Sequence, residues 1–262
     1  MISISKFSVG TLLMFSIITK ALGMARPAED SPLMPRQIDL SGNTVHFSMP
    51  ENFSRDMPAE DMIESVNLSD DEVYKDYTQF TLIRRWWDFR ESGFFGKEYG
   101  TLMMSLYIKK ASESLNLTTV QPLDFVDIIV DDIKKNMPEN PDPLSVYSDY
   151  FAAHDEMFIN GQRWTWYVQD QGDPPSFTFS FAIPVSEQHY LEAQFISAPN
   201  DDIGLRGFID QITKPFIDRI MNSFEIEYLP GNPVQQAVTN QEGLPLRQLI
   251  EKKVEQLEAA PH

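Results

Sequence analysis

The chain has 262 residues, 42% hydrophobic and 12% aromatic, which is ample for a packed core and excludes disorder as the starting expectation. Its formal net charge of −18 argues against nucleic acid or anionic lipid as partner, because a field of that sign repels phosphates and attracts basic proteins. It contains no cysteine, which removes a disulfide framework, a thiol nucleophile, a lipobox and any cysteine-ligated metal.

Lys6 precedes an apolar run from Phe7 to Ile18, and Ala21, Gly23 and Ala25 then offer small-x-small cleavage sites. Residues 1–25 read as a secretory signal peptide. The run is closed by Lys20, well short of the roughly twenty apolar residues a membrane-spanning helix needs, so no stable membrane anchor is expected after cleavage. Export without cysteine points to a Gram-negative periplasm, where the sequons at Asn52, Asn67 and Asn116 are chance matches; in a eukaryotic host they would be glycan sites. Without the signal, 19 basic residues stand against 39 acidic ones.

A Pro-rich lead spans residues 26–36. Segments 37–40 and 44–49 flank Ser41-Gly42-Asn43 and read as a hairpin with Val45, Phe47 and Met49 on one face. Residues 54–76 are polar and read as loop or short helix. Two long strands follow, at 77–89 and 99–109, the second alternating Leu102, Met104, Leu106 and Ile108 with Met103, Ser105, Tyr107 and Lys109. Pro122 opens a helix that carries Phe125, Val126, Ile129 and Ile133 on one face and breaks in a Pro-rich stretch at 138–143.

A β-meander comes next: 147–159, then 162–170 across Asn160-Gly161, a strand with Phe177, Phe179, Phe181 and Ile183 on one face, and 189–197. Leu205 to Ile220 forms a second amphipathic helix, kinked or restarted at Pro215, before a last strand at 223–228. The remaining residues, 230–262, read as a linker and a short helix whose stripe of Leu246, Leu249, Ile250, Val254 and Leu257 needs a surface to cover. The fold class is α+β: a single domain over 37–229, a mainly antiparallel sheet flanked by two long helices in an α/β/α sandwich.

This pattern resembles the Mog1/PsbP-like superfamily, including DcrB-type envelope proteins. The likeness rests on the strand Val45-His46-Phe47-Ser48-Met49-Pro50 followed by Phe53, and on a final helix, Phe216 to Met221, running into Ser223-Phe224-Glu225-Ile226. The resemblance implies binding or accessory roles with no shared catalytic residues. It leaves the middle meander and the tail after Pro230 unexplained.

No motif names a reaction. There is no HExxH, nucleophile elbow, phosphate loop or dinucleotide fingerprint, and neither Asp131-Asp132 nor Asp201-Asp202 has the ligand ladder of an EF-hand. His46 reads as structural; His154-Asp155-Glu156 puts neighbouring strand residues on opposite faces, so it gives no shared site. No catalytic residue, metal or cofactor is expected. The most unusual composition is Arg84-Arg85-Trp86-Trp87-Asp88-Phe89-Arg90 with Phe94 and Phe95, since Arg and large aromatics supply interface hot spots. Arg84, Arg85, Trp86, Trp87, Arg90, Phe94 and Phe95 are the candidate partner-binding residues. The bland alternative puts one Trp into each sheet face and pairs the arginines with local acids.

The leading expectation is a non-enzymatic periplasmic binding protein, an immunity-type inhibitor that occupies a basic secreted toxin by protein–protein contact. The alternative is an envelope accessory or small hydrophobic-ligand-binding module with an apolar pocket between sheet and helix.

Overall fold

Ser41 and Gly42 both hold positive φ, 55° and 88°, and Asn160 and Gly161 do the same at 50° and 76°. Two consecutive residues at positive φ give the tight reversal whose twist matches paired strands, so both hairpins form where their turn residues stand. The first joins β1 (Met34–Leu40) to β2 (Asn43–Met49). The computed structural model describes residues 31–54, 56–74, 78–90, 97–136, 157–170, 176–200, 205–239 and 245–259.

The other strands are β3 (Ser65–Val66), β4 (Gln79–Arg90), β5 (Glu98–Lys110), β6 (Met157–Ile159), β7 (Gln162–Asp170), β8 (Phe177–Pro184), β9 (His189–Pro199) and β10 (Glu225–Glu227). They form two sheets rather than one: a four-stranded sheet in the order β10-β2-β1-β3 and a six-stranded antiparallel sheet in the order β4-β5-β9-β8-β7-β6. The opening hairpin pairs with the last strand, setting Val45 against Ile226, so the two chain ends of the domain close on each other. The fold is a single-domain α+β structure.

Helix α1 (Pro122–Asn136) starts at its proline, where a missing N–H costs nothing. Helix α2 is built in three pieces: Leu205–Phe208, a π turn at Ile209–Thr213, and Lys214–Met221. Pro215 lacks the donor that the preceding turn would need, so the helix restarts here. The wider turn lets Phe208 and Phe216 both meet Phe89, edge-on at 5.8 and 5.2 Å.

Residues expected to be linker instead form α3 (Pro233–Thr239), because Val234 and Val238, one turn apart, are buried in the main core. Helix α4 (Leu246–Glu258) buries Leu246 and Ile250 on its own domain, beside α1, and Lys253 Nζ donates to Asp127 at 3.1 Å. Among the described residues no helix is long and apolar enough to cross a membrane.

Two cores result. One face of the six-stranded sheet, with Trp87, Leu102, Met104, Leu106, Phe195 and Ile183, packs against the small sheet and α2. Phe224 joins the layers, stacked on Phe47 at 4.9 Å and edge-on to Trp164 at 5.6 Å. The opposite face, with Tyr167, Ala182 and Tyr190, lies under α1 and α4. The residues expected on the α1 face, Phe125, Val126, Ile129 and Ile133, are all buried there.

Candidate functional site

Strand alternation divides the Arg/Trp cluster between the two faces of β4. Trp87 is fully buried in the main core, edge-on to Phe216 at 5.1 Å, with its indole N–H donated to the Glu51 carbonyl at 2.9 Å. It is therefore not a surface anchor; β4 is long enough to pass beneath α2, and alternation aims Trp87 inward. Trp86 is half-buried on the opposite face, and its backbone N–H donates to Asn52 Oδ1 at 2.7 Å.

The cations are held at home. Arg84 lies 3.2 Å from Glu60, donates to Ser105 Oγ and sits 6.0 Å over the Trp86 ring. Arg85 is buried and donates to the carbonyls of Glu60 and Arg84 at 2.5 and 2.7 Å. Arg90 stands 3.6 Å from both Asp88 and Glu98. Phe94 and Phe95 lie outside the described residues, as do residues 1–30, His154 and Asp201-Asp202. The described members of the cluster thus do not present one free surface.

A second polar cluster sits beneath α1 on the opposite face of the large sheet. Lys109 Nζ lies 2.6 Å from Glu192 and 2.7 Å from Asp132 of α1, and the Tyr167 hydroxyl donates to Glu192 at 2.8 Å. Glu192 is fully buried. Burial alone would lower the Lys109 pKa, but Glu192 and Asp132 outweigh it and hold the ammonium above its ordinary value. Burial, joined by the neighbouring carboxylates, pushes the Tyr167 and Tyr190 phenols up. Lys109 and Glu192 are buried between α1 and the sheet, and their geometry fits a clamp between helix and sheet. Among the described residues no three His, Asp or Glu side chains converge as a metal site would require.

A recess with an aromatic floor lies on the main-core face of the large sheet, beside α2. It is a groove of about 510 Å³ between α2 and strands β6 to β8, lined by Met157, Phe158, Trp166, Phe179, Phe181, Lys214, Ile217, Asp218 and Asn222. That volume falls in the range of small-molecule sites. Its floor is firm: Trp166 stacks on Phe181 at 6.4 Å, and Phe181 is edge-on to Phe195 at 5.9 Å. Along β8 burial falls steadily, with Ile183 and Phe181 buried and Phe179 and Phe177 half-buried, because the covering layer stops short of that end. The polar rim comes from α2, where Lys214, Ile217 and Asp218 share a face by helical spacing.

The sequence signalled this strand's aromatic face and allowed an apolar pocket between sheet and helices as an alternative, but did not place it. Alternation marks which side chains share a face; whether another layer covers them depends on how distant elements pack over the sheet. Comparison with family models and with curated proteins found no match.

Proposed function

We propose that the protein is a non-enzymatic binding module that holds an apolar ligand in the groove between α2 and β6 to β8. The observation that carries this reading is the half-buried floor of Trp166 and Phe179, aromatic surface on a rigid strand pair with space above it. The polar lining is one lysine, one aspartate and one asparagine around an apolar floor, a set suited to orienting a ligand. The implied binding or accessory role of Mog1/PsbP-like proteins agrees with it.

The test is calorimetric titration with an uncharged alkyl probe, dodecyl maltoside below its micelle concentration. The expected result is saturable binding that Phe179→Ala and Trp166→Ala each weaken at nearly constant melting temperature. Unchanged binding in both folded variants rejects the groove.

The inhibitor reading, with a basic secreted toxin as partner, retains the support of the −18 charge. Under that reading association with the partner slows steeply as salt rises, and a salt-insensitive rate removes its electrostatic basis.

A further inference from the structure

The groove contains two ionisable groups, Lys214 and Asp218. Asp218 lines it beside Ile217, half-buried, and among the described residues neither a hydrogen bond nor an ion pair reaches its carboxylate. Burial raises its pKa, opposed by the charge of Lys214 one turn earlier on α2. Lys214 itself is exposed, and no ion pair forms between the two.

We propose that the ligand of this groove is an amphipathic cation, an alkyl chain bearing an ammonium group, whose charge meets Asp218 while the chain lies on Trp166 and Phe179. The inference rests on the groove being the binding site, as argued above. A carboxylate partly withdrawn from water carries a desolvation cost that the Lys214 charge only partly offsets, and an arriving cation offsets more of it. Aromatic rings favour the same sign of charge, because their faces are electron-rich. The chain's −18 charge acts in the same direction at longer range, concentrating cations and repelling anions. An anionic headgroup would have to approach Lys214 with Asp218 beside it, and an exposed, hydrated lysine adds little to compensate.

Three probes with the same twelve-carbon chain separate charge from apolar contact: dodecyltrimethylammonium, dodecyl maltoside and dodecanoate. Each is titrated below its micelle concentration into the full chain and into Asp218→Asn and Lys214→Gln, with melting temperatures confirming that the variants fold. The ammonium probe is expected to bind tightest. Asp218→Asn should weaken it about tenfold and leave the maltoside probe within about twofold. Lys214→Gln should not weaken the ammonium probe. General attraction to an acidic chain would not depend on one carboxylate, so an unchanged ammonium affinity in Asp218→Asn overturns the proposal. If the maltoside probe still binds in that case, the groove reading survives and only the ligand's charge is wrong. If neither probe binds the wild-type protein, both inferences fall.

Discussion

Lys109 and Glu192 meet at 2.6 Å between adjacent strands of the large sheet, with Asp132 of α1 closing over them at 2.7 Å from the same ammonium. One cation thus holds a sheet carboxylate and a helix carboxylate together. A buried pair of this kind is not a reservoir of stability against an apolar replacement, but breaking it is expensive, since the surviving charges stay buried. Lys109→Met should destabilise the fold by about 3–5 kcal/mol in urea unfolding. Adding Glu192→Gln to that variant should recover part of the loss. A single-variant change below about 1 kcal/mol would mean that water reaches the cluster.

Acid stability should depend on His189. The imidazole is pushed down to about 4, first by burial and then by the charge of Lys110, with Asp71 opposing. Its Nδ1 is 2.8 Å from Ser186 Oγ, and the ring sits 5.4 Å from that of Tyr74. The unfolded imidazole titrates near 6.5. Between that pH and about 4 the unfolded chain binds a proton that the folded chain refuses, so stability falls as pH drops through this window. The loss is on the order of 3 kcal/mol and vanishes above the upper limit, where both states are neutral. His189→Gln should remove this component, read from urea midpoints between pH 7 and 4. A profile unchanged by the substitution would place the acid sensitivity in carboxylates instead.

Neighbouring tryptophans should behave oppositely. Trp87→Ala empties a core site beside Phe216 and should cost about 3–5 kcal/mol. Trp86→Ala, on the half-buried face, should cost about 1 kcal/mol or less. Thermal melts of the two variants check this directly, and equal losses would contradict the placement of the two rings on opposite faces.

Helix α4 should contribute to the stability of its own domain. Ile250→Ala is expected to cost about 2–3 kcal/mol, because the side chain is buried in the cluster with Tyr167 and Phe125. If the stripe instead serves only an external partner, the melting temperature of the isolated protein will not move.

Much of the fold was legible along the chain because its signals are local. Asn160-Gly161 and Ser41-Gly42 supply positive φ wherever they stand, Pro122 opens a helix, and the alternation in β5 and β8 marks two faces. Three features resisted. The small sheet is assembled from strands at opposite ends of the domain, with Val45 against Ile226, and no local pattern records such a pairing. Helix α3 buries only two residues, Val234 and Val238, too few for periodicity to separate from a linker. The Arg/Trp cluster was conspicuous in composition, yet β4 sends Trp87 inward and local acids engage Arg84 and Arg90.

By itself the sequence determined the α+β class, the long strands and the two long helices in their order, the faces that are apolar and the acidity of the whole. Those properties follow from backbone preferences and from the period of side-chain direction, both settled within a few residues. Only the tertiary structure decided which apolar faces are covered. The aromatic run of β8 is buried core at Ile183 and groove at Phe179, and Asp218 gains its place on that rim from the packing of α2 beside the sheet. Coverage is a relation between elements far apart in the chain, set by layer geometry, and it is what turns a hydrophobic strand into a candidate site.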